Sequence, residues 1–155
     1  MIPNFFTKYP IPRKIPQSMQ KAIETLKKCK NKKECLTKAY VIVTNRYHGH
    51  RLTTYTRGYR LFYTNIDWLW KNKGFLHCNH MNFILRILLV KSGHFKESEI
   101  QLKWTVVWYV TPHQYLRIKM NDGFIYIDPW GFDHDVPFGC YAFGFKKVCA
   151  NDSTK

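Results

Sequence analysis

The stretch that decides the fold is CNHMNFILRILLVK, Cys78 to Lys91. From Met81 to Val90 only Asn82 and Arg86 interrupt the apolar positions. A surface helix carries one apolar stripe, whereas a helix apolar nearly all round belongs inside a domain. The segment therefore reads as the central, buried helix, stopped by Gly93 after Ser92. It is no membrane span: Phe83 to Val90 contains Arg86 and falls well short of roughly 18 apolar residues.

Toward the N-terminus, Met19, Ala22, Ile23 and Leu26 follow the i, i+3, i+4, i+7 spacing of one helical face, with Pro16 at its start. Asn31 with Glu34 three residues on has the form of a helix-capping box. The helix it opens would bury Cys35, Leu36, Ala39, Tyr40 and Val43, completing an antiparallel helix pair. Residues 1–15, punctuated by Pro3, Pro10 and Pro12, read as an extended arm. Residues 44–64 give no clear period, and a short helix follows from Asp67 to Lys71, capped by Asn65 and broken at Lys73-Gly74.

Toward the C-terminus the period changes. Trp104 to Val110 is β-branched and aromatic, and His113 to Met120 and Phe124 to Asp128 alternate around Asn121-Asp122-Gly123, a hairpin signal. Helices followed by an antiparallel sheet define an α+β class, with N-terminal helices and the Cys-bearing helix packed on a small sheet. Residues 131–149 read as a Gly- and Phe-rich loop and 150–155 as a flexible tail. A chain of 155 residues, 45% hydrophobic and 23% charged, is one globular domain, here 1–149.

The net charge is +15, and it is lopsided: residues 1–60 hold 14 basic and 2 acidic side chains. Such a half can neutralise phosphates, so nucleic acid or another polyanion bound through residues 8–60 is the alternative to an enzyme. Tyr47, Tyr55 and Tyr59 interleaved with Arg51, Arg57 and Arg60 fit base stacking, or else pack under the helix pair. The five cysteines are odd in number and show no C-x-x-C, which argues against a disulfide framework and a four-cysteine zinc site. With no continuous apolar segment before Pro16, a cytoplasmic, reducing compartment is expected.

Three residues stand out by position. Cys78 opens the buried helix, where free amides and the helix dipole stabilise a thiolate and can hold an oxyanion. His113 opens a strand and Asp128 closes the next. If Asn121-Asp122 is the hairpin loop, Met120 pairs with Gly123 and Tyr115 with Asp128. His113, two before Tyr115, then shares a sheet face with Asp128 as its diagonal neighbour. Asp128 can hold one imidazole nitrogen and leave the other for a thiol, the nucleophile–base–orienter arrangement.

The run Gly74-Phe-Leu-His-Cys78, the apolar helix, His113-Gln-Tyr-Leu-Arg-Ile and Gly123-Phe-Ile-Tyr-Ile-Asp128-Pro129-Trp130 resembles the transglutaminase-like superfamily over about residues 68–131. The resemblance implies a papain-like fold with a catalytic core near 65–131. It also implies Cys78 as nucleophile, His113 as base and acid, and Asp128 as orienter. The chemistry implied is amide acyl transfer, as in a cysteine protease, another hydrolase or an acyltransferase, on a peptide or protein substrate. Relatives often place an aromatic upstream of the cysteine at the oxyanion site, which points to Trp70; Asn72 offers a side-chain amide instead. Asn79, Trp104 and Trp130 are the candidate substrate contacts. His77, Cys78 and His80 with a distant His113 or Asp128 offer zinc ligands, but adjacent His77 and Cys78 converge poorly on one ion, so neither metal nor cofactor is expected.

Overall fold

The computed structural model describes residues 6–150; the start of the expected arm and residues 151–155 of the expected tail lie outside the described residues. Helix α1 (Gln17–Lys27) buries Met19, Ile23 and Leu26, and α2 (Lys32–Arg46) buries Cys35, Leu36, Ala39, Tyr40 and Val43. The Asn31 side chain accepts the Glu34 N–H at 2.9 Å, the cap read from the sequence. Both helices lay their apolar faces on α5 (Cys78–Lys91), which is buried from Cys78 through Leu89. Inside that helix the Arg86 guanidinium donates to the Tyr9 carbonyl at 2.8 Å and to Glu97 at 2.7 Å, which fastens the arm to the core.

The unassigned segment 44–64 resolves into short pieces. After α2 comes β1 (Tyr47–His48), then α3 (Arg51–Thr56) and a 3-10 turn over Gly58–Phe62. Helix α4 (Ile66–Lys71) follows, its Asn65 cap accepting the Trp68 N–H at 3.0 Å. Strand β2 (Gly74–Phe75) pairs in parallel with β1 and delivers the chain to the head of α5.

On the other side of α5 lies an antiparallel sheet in the order β3 (Ile100–Val107), β4 (Thr111–Met120), β5 (Gly123–Ile127). Met120 pairs with Gly123 and Leu116 with Ile127, so the two-residue loop and the register are as expected. Gly123 takes φ +129°, a value that the absence of a Cβ permits. The class is α+β, with helices on one side of small antiparallel sheets.

The region expected to be a Gly- and Phe-rich loop is instead ordered. A 3-10 turn over Trp130–His134 leads into a hairpin of β6 (Cys140–Phe143) and β7 (Lys146–Cys149). Its outermost pair, Cys140 and Cys149, is joined by a disulfide. The odd count argued against a framework of bridges; it did not forbid this one, and it leaves Cys29, Cys35 and Cys78 as free, buried thiols. Among the described residues no helix is long and apolar enough to cross a membrane.

Candidate active site

His113 and Asp128 meet as the register requires. The His113 Nε2 stands 2.8 Å from Asp128 Oδ2, with both side chains buried. Asp128 also accepts the Gly131 N–H at 3.0 Å on Oδ1 and the Ala142 N–H at 3.0 Å on Oδ2. Every partner of this carboxylate is therefore a donor, and each comes from a different element: β4, the 3-10 turn and β6. Burial alone would push the His113 imidazole down, but the Asp128 charge and hydrogen bond, with the Cys78 sulfur adding to them, raise it well above its ordinary 6.5. Nε2 is occupied by Asp128, so Nδ1 is the nitrogen left for the thiol.

Cys78 is the first residue of α5. The preceding His77 provides no side-chain cap, and its carbonyl already takes the His80 N–H at 3.1 Å, so the amides open to an anion are the first two, of Cys78 and Asn79. Cys78 is only 8% exposed, yet it forms part of the wall of a cavity of about 370 Å³ that also reaches His113, Trp108 and Trp130. That cavity gives the sulfur its approach.

The cavity walls come from unusual backbone. Trp108 and Tyr109, in the β3–β4 turn, adopt φ +52° and +63°, a left-handed region that bulky side chains seldom enter. The turn is pinned from outside: Trp108 N–H donates to the Gly144 carbonyl at 3.0 Å, and Gly144 N–H donates to the Val106 carbonyl. Trp108 then meets Trp130 edge-on with ring centroids 5.6 Å apart, and Trp130 covers the His113 ring at 5.2 Å.

Two glycines permit this packing. A Cβ on Gly49 would lie 2.7 Å from the Trp130 carbonyl oxygen, and one on Gly131 would lie 2.8 Å from Asp128 Oδ2. Gly131 can therefore approach the carboxylate only because it lacks a side chain.

The remaining sequence candidates divide. Trp130 lines the cavity. Trp104 does not: it stays in β3 opposite Gln114 and packs on Phe6 at 4.7 Å. Trp108, which its positive φ takes out of the strand alternation, lines the cavity instead. Asn79 is not part of the wall; it donates to the Leu61 carbonyl at 3.1 Å.

Both oxyanion candidates direct their donors elsewhere. The Trp70 indole N–H donates to Ser18 Oγ at 2.9 Å, and Asn72 caps its own helix on the Trp68 carbonyl at 2.7 Å. Both orientations follow from how α4 packs, which spacing along the chain does not encode. The donors that the fold does place beside the sulfur are the α5 amides.

His77 and His80 flank the nucleophile position in neutral form. Burial holds His77 below its ordinary value and pushes His80 down to about 3, helped by His77. His77 Nε2 lies 3.2 Å from the Thr54 carbonyl, so that nitrogen carries the proton. No group of three His, Cys, Asp or Glu among the described residues is arranged to hold a metal ion, so the possible zinc set at His77, Cys78 and His80 does not assemble. Comparisons with protein-family models, with characterised proteins and with solved structures return no match.

Proposed function

We propose that the chain is a cysteine-nucleophile enzyme of transglutaminase-like type that cleaves or transfers an acyl group from an amide or related acyl bond. The observation that carries this reading is the buried His113–Asp128 bond of 2.8 Å, whose imidazole has its other edge toward the Cys78 sulfur. In this reading His113 takes the thiol proton and, being raised, holds it as an imidazolium. The Cys78 Sγ attacks the carbonyl carbon, and the oxygen takes up the negative charge against the amides at the head of α5. As the tetrahedral intermediate collapses, the C–N bond breaks and His113 gives its proton to the leaving nitrogen. Neutral His113 then removes a proton from water or an incoming amine, which attacks the thioester and regenerates the thiolate–imidazolium pair.

A cytosolic location is a separate proposal: it would keep Cys29, Cys35 and Cys78 reduced, while the Cys140–Cys149 bridge is of a kind rare in that compartment and counts against it. Binding of a polyanion through residues 8–60 is a separate proposal that rests on charge alone.

The test is alkylation by iodoacetamide at neutral pH, followed residue by residue by mass spectrometry, together with trapping of an acetyl-enzyme from p-nitrophenyl acetate. Cys78 is expected to react at least about tenfold faster than Cys29 and Cys35, since the thiolate is the reacting form. The acetyl group is expected on Cys78 and lost in Cys78→Ala. Equal alkylation rates, or acetylation that survives Cys78→Ala, would overturn the reading.

A further inference from the structure

We infer that the cavity beside Cys78 is the acyl-side specificity pocket and that it selects an uncharged, apolar group, aromatic or branched aliphatic, next to the bond attacked. The inference rests on the proposed nucleophile and names the substrate class for it. The cavity, of about 370 Å³, has no Asp, Glu, Lys or Arg in its wall. Its apolar surface comes from Leu61, Val107, Trp108, Pro112 and Trp130.

Several of its polar side chains are already engaged. Tyr55 Oη and Thr111 Oγ1 bond to each other at 2.6 Å across the rim, and His77 donates from Nε2 to Thr54. The other His77 nitrogen is buried without a hydrogen-bond partner, and in the neutral ring it is an acceptor. A carboxylate therefore finds no free donor at His77. The one cation of the wall, the His113 ring, is already bonded to Asp128. A lysine-like group would bring a cation into an aromatic enclosure with no carboxylate to meet it, and leaving water would go uncompensated. An apolar group meets only favourable contact.

Gly58 supplies the lever for a test. It lines the cavity, and a Cβ built on it meets nothing within 4 Å, so a large side chain there grows into open space. The experiment measures alkylation of Cys78 in the full chain by N-acetyl aminoacyl chloromethyl ketones carrying Phe, Leu, Gly, Asp or Lys side chains. The sulfur–carbon bond forms as chloride leaves, and each rate is divided by that of the same reagent with glutathione.

The Phe and Leu reagents are expected to exceed the Gly reagent by roughly tenfold or more, the usual worth of filling an apolar pocket. The Asp and Lys reagents should fall at or below Gly. Gly58→Phe should lower the Phe-to-Gly ratio by about tenfold. Ratios within about twofold for all five reagents, with Cys78 still outpacing Cys29 toward the Gly reagent, would overturn the pocket and leave the nucleophile standing. If Cys78 does not outpace Cys29 with any reagent, the nucleophile and the pocket both fall.

Discussion

Asp128 sits where only an acceptor fits at both oxygens. Oδ1 takes the Gly131 amide, and Oδ2 takes the His113 ring and the Ala142 amide. An amide in its place would turn an NH₂ against at least one N–H, so Asp128→Asn is not a conservative change. In the intact protein His113 is raised, chiefly by Asp128 working against burial, and its ring should stay doubly protonated through neutral pH. In Asp128→Asn, burial is left largely unopposed and the ring should become neutral below its ordinary range. Nitrogen NMR of the imidazole reads this directly, and an unchanged titration would refute the assignment.

The sign for stability follows from linkage. A group raised in the fold contributes its full stabilisation below its ordinary value near 6.5, and the contribution is lost as pH climbs through the raised value. The denaturation midpoint of the intact protein should therefore fall on the alkaline side more steeply than that of the variant. Acyl transfer should slow by on the order of 10²–10⁴-fold in Asp128→Asn, as when an orienting acid is made an amide. At this scale the pair was legible, because pairing parity puts His113 and Asp128 on one face. Trp70 and Asn72 were not, because which way a side chain turns on α4 depends on Ser18 and on the end of its own helix.

The hairpin β6–β7 is the element that closes the site from behind. It brings the Ala142 amide to Asp128 and, through its Gly144 turn, holds the β3–β4 turn that carries Trp108. The Cys140–Cys149 bridge ties its open end. Closing so short a loop is worth about 2–3 kcal/mol in the chain-entropy account. Cys149→Ser should lower stability by about that amount. It should also loosen the Ala142 contact, moving the His113 titration part of the way toward that of Asp128→Asn. A stability loss with an unmoved imidazole would show that the hairpin is only a brace.

This element left little trace in the sequence. Its strands are too short to display alternation, and Phe143 and Phe145 read as loop on either side of a glycine. The available signal was Gly144 at the first position of a two-residue loop, φ +59°, with cysteines spaced to face each other across the strands. By contrast α5 and the β4–β5 hairpin declared themselves, because one is long and apolar throughout and the other has a turn that fixes its parity.

Over the whole molecule the excess positive charge lies outside the cavity wall, which holds no lysine or arginine. Part of it is offset locally: Lys27 pairs with Glu24, Lys38 with Glu34 and Lys32 with Glu99. Two arginines that could stack on bases stack instead on the chain's own rings, Arg51 over Trp108 at 4.5 Å and Arg60 over Trp68 at 5.4 Å. Tyr55 is bonded to Thr111 at the cavity rim. What remains for a polyanion is phosphate contact from exposed lysines of α1, α2 and the turn between them, such as Lys21, Lys28 and Lys33. Contact of that kind is blind to sequence and falls steeply with salt, by about 10³- to 10⁵-fold between roughly 50 and 200 mM for six to ten phosphates. Retention on immobilised duplex DNA should therefore be lost over that range, with no preference for single strands. Lys28→Glu combined with Lys33→Glu should weaken it while the His113 titration stays as in the parent, since neither lysine approaches the cavity. Passage through the column at low salt, or retention indifferent to the two reversals, would mean that this charge is a solvated helical face without a polyanionic partner.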